Sequence, residues 1–130
     1  MRLARISLLA AGLAFAAFGI LTLAWPQSMG ILGVELTRPA AATEIRAFYG
    51  GLELGMALFF FRARRDPAWH RPALFVQAAS LCGVVLARLL GIVIDGSAEP
   101  LVLLLGAGEG ACGLLGLVAL RRLNAETTGA

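Results

Sequence analysis

The sequence predicts an all-α protein: an integral membrane four-helix bundle, one transmembrane domain over residues 1–130, with both termini cytoplasmic. Three observations carry this. The chain is 59% hydrophobic and only 15% charged, with a mean hydropathy of +0.84, whereas soluble domains run at about 45–50% apolar and about 25% charged. Its apolar residues gather into four runs, each near the ~20 residues that a helix needs to cross hydrocarbon. Arginines cluster in alternate connections, as the positive-inside rule requires.

The first helix is expected over about 3–25, closed by Trp25-Pro26. Arg2 and Arg5 precede it; a signal peptide is the alternative, but the apolar run is long for one. The connection from Pro26 to Thr43 holds Met29, Ile31, Leu32 and Val34, a short amphipathic piece suited to the outer membrane surface. Thr43 is expected to cap a second helix over about 44–61, with Glu44 in its first turn. Arg62, Arg64, Arg65 and Arg71 fill the next connection, flanking the third helix, about 72–94, which Asp95-Gly96 ends. The fourth, about 100–120, starts on Pro100, a residue suited to a first helical turn. Arg121 and Arg122 follow it, and the tail from Asn124 to Ala130 is expected to fray. The first connection has only Arg38, and the third has Asp95 and Glu99 with no arginine. A label at Ser97 should therefore be reached from outside and one at Asp66 from inside.

All 11 basic residues are Arg, and the net charge is +3. They lie beside apolar runs rather than along a basic stripe, which argues against nucleic acid as a partner. Cys82 and Cys112 sit within apolar helices as small hydrophobes. No spacing suits zinc, and no nucleophile motif or phosphate loop is present. No catalytic residue, metal or cofactor is therefore expected. His70, the only histidine, reads as an interfacial residue among Arg65, Asp66 and Arg71. Trp25 and Trp69 read as interfacial anchors. Gly51-x-x-x-Gly55 and Gly106-x-x-x-Gly110 read as close-packing surfaces within one chain, with a dimer face as the alternative.

The candidate site is a set of charges inside these apolar helices: Arg46, Glu53, Arg88 and Glu109. An ion at a helix centre in a membrane costs about 2.5–3.5 kcal/mol on insertion scales. At 1.5 Å per residue, Glu53 and Glu109 each lie ~13 Å from the outer end of their helix, and Arg88 ~9 Å from its own. The three charges share one layer. Arg46, Gly50, Glu53 and Ala57 share one helix face; Gln77, Ser80, Arg88 and Asp95 form a broken polar stripe on another. The simplest network has Arg88 bridging Glu53 and Glu109, Arg46 above it, Tyr49 as a further donor, and Glu44 and Asp95 at the rim.

The run Glu44-Ile45-Arg46-Ala47-Phe48-Tyr49-Gly50-Gly51-Leu52-Glu53-Leu54-Gly55, then Arg88-Leu89-Leu90-Gly91 with Asp95-Gly96, and then Glu109, resembles the domain of unknown function 4345 family. The resemblance covers almost the whole chain. It implies a small bacterial four-helix membrane protein of the inner, cytoplasmic membrane, and no established activity. The positions it marks, Glu44, Arg46, Tyr49, Gly50, Gly51, Glu53, Arg88, Gly91, Asp95, Gly96 and Glu109, largely coincide with those singled out by burial cost. A more distant likeness to DoxX-like membrane proteins implies a redox-associated, quinone-handling role.

The charge layer either only fixes helix order or lines a pocket open to the outer face, and for the second case three readings compete. The first is a binding or accessory protein whose polar layer holds a small polar or lipid-like ligand, or docks a homodimer mate or membrane-complex partner. The second is a small dimeric proton-coupled transporter. It needs a carboxylate free to titrate, and here each Glu has an Arg available, which favours the charged form. The third, a redox-associated subunit or enzyme, lacks any visible nucleophile or cofactor ligand.

Overall fold

The computed structural model describes residues 1–96 and 98–128, and every regular element among them is helical. Ser97, Gly129 and Ala130 lie outside the described residues. Five α-helices follow in order: α1 (Arg2–Ala24), α2 (Pro39–Ile45), α3 (Leu52–Arg65), α4 (His70–Asp95) and α5 (Pro100–Thr128). A π turn, Arg46–Gly51, joins α2 to α3, and the residues at both junctions keep right-handed helical dihedrals. The three pieces therefore form one continuous rod. Short 3-10 segments cover Pro26–Leu32 and Pro67–Trp69.

By length and composition, three helical stretches can cross a membrane: Arg2–Ala24, Pro67–Asp95 and Pro100–Glu126. The expected second span is divided by the π turn, which leaves α3 with 14 residues and three arginines in its last turn. Large apolar side chains stand exposed along the rods, Leu58, Leu86, Val93, Ile94 and Leu104 among them. Apolar exposure on that scale is unfavourable in water and favourable against lipid.

Several ends follow local chemistry. Trp25 closes α1 by donating its N–H to Leu21, and Pro26 opens the 3-10 segment. Gly96 ends α4 with φ of 67°, a conformation cheap only for glycine, and its N–H reaches the Ile92 carbonyl. Pro100 begins α5 as expected.

Two expectations fail. The second rod starts at Pro39, not after Thr43, because proline presets the helical φ at the first turn. Thr43 instead turns its hydroxyl back to the Pro39 carbonyl at 3.5 Å. The segment from Asn124 does not fray where it is described, since α5 continues to Thr128.

The rods pair as two hairpins. α1 packs along α3 and the π turn, α4 packs along α5, and α1 also touches both α4 and α5. Small residues bring α1 and the second rod together. A Cβ on Gly50 would stand 3.0 Å from Leu23 Cα, and one on Gly19 would stand 3.1 Å from the Gly50 carbonyl oxygen. Gly50→Leu should therefore push two backbones apart and cost about 2 kcal/mol by overpacking. A melting temperature in mild detergent equal to that of the unsubstituted protein would contradict it. Gly106 and Gly110 face Arg88 and Val85 within the chain, as expected of close-packing residues. Gly51 and Gly55 do not: at Gly51 only the rod's own Arg46 carbonyl lies within 4 Å, and at Gly55 nothing does.

The core sits at the arginine-rich end. It comprises Ala4, Leu8 and Ala11 of α1, Phe60 and Ala63 of α3, Ala73 and Leu74 of α4, and Ala119 of α5. Phe15 stacks edge-on against Phe60 with ring centres 5.4 Å apart. Beyond this core the second hairpin loosens: no described residue between Leu81 and Gly113 is buried.

Candidate functional site

The polar groups fall into two tiers, set by the antiparallel register of α4 and α5. The lower tier lies at the edge of the core and centres on Gln77, which is fully buried. Gln77 accepts from the Ser7 hydroxyl at 3.0 Å and donates to the Cys112 carbonyl at 2.8 Å. It thus ties α1, α4 and α5 together. Gly116 makes room for it: a Cβ there would stand 3.0 Å from Gln77 Cδ. A buried amide is tolerated only when its donors and acceptors are matched, and here both ends are used.

The upper tier holds the charges. Arg88 engages Glu109 through two bonds, Nε to Oε2 at 3.1 Å and Nη2 to Oε1 at 2.7 Å. This is the parallel fork geometry that makes Arg–carboxylate pairs strong. The side chains are 22% and 25% exposed. Gly106 admits the Arg88 stem, since a Cβ there would lie 3.1 Å from Arg88 Cδ. Beside the pair, Val85, Leu89, Ile92, Val102, Leu103 and Gly106 line a groove of about 230 Å³ between α4 and α5.

Glu53 belongs to the same level. Its Cβ lies against the Gly19 position of α1. α1 and α4 run in parallel from the Ser7–Gln77 contact, and the same number of residues beyond it reaches Phe18 and Arg88. Glu53 is half-buried. Among the described residues no ion pair or hydrogen bond reaches it. The expected bridge of Arg88 to two carboxylates is therefore half made, because both Glu109 oxygens already occupy the guanidinium fork.

Arg46 and Tyr49 take other work. Arg46 is exposed, and its Nε donates at 3.2 Å to the Leu23 carbonyl at the end of α1. It caps a helix C-terminus, where α1 has no basic residue of its own. The Tyr49 carbonyl, within the π turn, accepts from the Thr22 hydroxyl, and the Tyr49 ring meets Phe18 edge-on at 6.3 Å. A π turn takes carbonyls out of the regular helical ladder, and Thr22 supplies one with a donor. Glu44 and Asp95 are both exposed at the ends of their rods.

His70 departs from its expected place, and Gln77 has a part that the sequence did not show. His70 is fully buried rather than interfacial, with Nε2 3.2 Å from the Arg64 carbonyl oxygen. The 3-10 turn before α4, held by the Ala68 N–H on Asp66 at 3.1 Å, swings it inward. Gln77 stood on the polar stripe with Arg88, but nothing local marked it as the tie between three helices. Cys82 and Cys112 are both free thiols.

Fold and site together define a class: among the described residues every regular element is helical, three helical stretches are long and apolar enough to span a membrane, and a forked ion pair joins two of the helices. The chain belongs to the family described as domain of unknown function DUF4345, whose family model matches residues 3–120. No curated protein and no solved structure matches it. A DoxX-like likeness is not among these findings.

Proposed function

We propose that this protein is a four-span bundle of the bacterial inner membrane, with both termini cytoplasmic, that holds a lipid-like amphiphile at its outer half. The fourth span is the continuous rod from Pro39 to Arg65, which lies along α1 as closely as α4 lies along α5. Orientation rests on the arginines, which crowd the end where the core is packed. In a background without Cys82 and Cys112, a cysteine placed at Glu99 should react with an impermeant maleimide from outside only, and one at Ala68 from inside only. The reverse pattern at both positions would overturn the orientation.

The binding reading rests on one observation. The core stops at Leu81 and Gly113, while a charged pair stands beyond it beside an open apolar groove. Charges at membrane depth are retained where they meet protein, water or a ligand. A purely structural pair would be expected inside the packed half, where it could fix helix order. The groove suits the apolar part of an amphiphile, and the polar layer suits its head group. Native mass spectrometry from a neutral detergent should find one retained amphiphile per chain. Ala107 also lines the groove, so Ala107→Phe, which fills it and replaces neither member of the ion pair, should remove most of the bound amphiphile. Failure to retain any amphiphile, or equal retention by Ala107→Phe, would end this reading.

The transporter reading gains one support: among the described residues no arginine pairs with Glu53, so the sequence-based objection to a titrating carboxylate does not apply to it. Dimerisation and proton coupling are the further steps it needs.

A further inference from the structure

We infer that the head group taken by the upper tier is a cation, an alkylammonium, with Glu53 as its counter-charge; this rests on the binding reading above. The layer holds more negative than positive charge that is free to act. Arg88 and Glu109 neutralise one another through both carboxylate oxygens. Arg46 is turned away, onto the Leu23 carbonyl at the end of α1. Glu53 is left over, half-buried, level with Arg88 and without a partner among the described residues.

An anionic head group entering here would meet two carboxylates and an arginine already engaged. A neutral one would leave the Glu53 charge unbalanced in an apolar setting, which is costly. A cation removes that cost without the carboxyl having to take up a proton. Tyr49 stands four residues before Glu53 on the same rod, and its ring meets Phe18 of α1 edge-on; aromatic faces attract ammonium groups, most strongly where water is scarce.

The test is titration of the full chain in dodecyl maltoside with decyltrimethylammonium and, separately, with the chain-matched anion decyl sulfate, each below its micellar concentration. Calorimetry should find saturable binding of the cation and at least tenfold weaker binding of the anion. Glu53→Gln should weaken the cation at least tenfold and keep its melting temperature, because the substitution is isosteric and Glu53 makes no bond to lose. Glu53→Asp should restore part of the affinity. Should Glu53→Gln fail to fold, the wild-type preference between the two probes still decides the sign of the head group. Preference for decyl sulfate, or undiminished cation binding by a folded Glu53→Gln, would overturn the cation inference and leave the amphiphile reading standing. Saturable binding of neither probe would overturn both.

Discussion

Arg88→Ala should cost about 3 kcal/mol of stability, the low end of the ~3–5 expected for breaking a buried ion pair, because this pair is about a quarter exposed. The loss comes from what remains. The Glu109 carboxyl would be left among Gly106, Gly110 and the apolar face of α4 without its two guanidinium donors. Removing both partners should be milder. The double variant Arg88→Met with Glu109→Leu replaces a charged fork by apolar packing and should recover most of the loss. Thermal unfolding in mild detergent reads both. Arg88→Ala as stable as the unsubstituted protein would mean that the pair holds nothing together. A double variant as unstable as the single one would mean that the packing of the Arg88 stem on Gly106, not its charge, matters.

Gln77→Ala should be about as damaging, also roughly 3 kcal/mol, for two reasons that add. It leaves a void at the edge of the core, and it strips the Ser7 hydroxyl of its acceptor in a fully buried place. Gln77→Met separates the two, since it fills most of the space and makes no hydrogen bond. The expected order of melting temperatures puts Gln77→Met between wild type and Gln77→Ala. Adding Ser7→Ala to Gln77→Met should restore part of the remainder, because no orphaned hydroxyl is left. Equal stability of all these variants would mean that α1 is held to the second hairpin by its core contacts alone.

The two effects act at different levels of one molecule. The Gln77 tie closes the packed half, and the Arg88–Glu109 fork joins α4 to α5 just beyond it. A helix pair in lipid gains little from apolar burial, so close backbone approach and polar contacts must supply specificity. Gly50 and Gly19 supply the first on the α1 side, and Gln77 and Arg88 the second on the α4 side.

Much of this protein was determined by its sequence. Helical class followed from apolar runs of membrane length, because a backbone in hydrocarbon must satisfy its own hydrogen bonds. Pro26, Gly96 and Pro100 set three helix ends by purely local geometry. The level shared by Glu53, Arg88 and Glu109 followed from residue count, since the rise per residue of a helix is constant. The tertiary structure alone decided which of these charges meet. Rotation of each rod about its axis puts Glu109 within the Arg88 fork and leaves Glu53 on the opposite hairpin, and no one-dimensional spacing reports that angle between rods. The π turn at Arg46–Gly51 adds to the difficulty, because it shifts the phase of the second rod just before Glu53. His70 and Gln77 were decided the same way: whether a polar side chain on a helix is buried depends on what packs over it, and that surface comes from other parts of the chain.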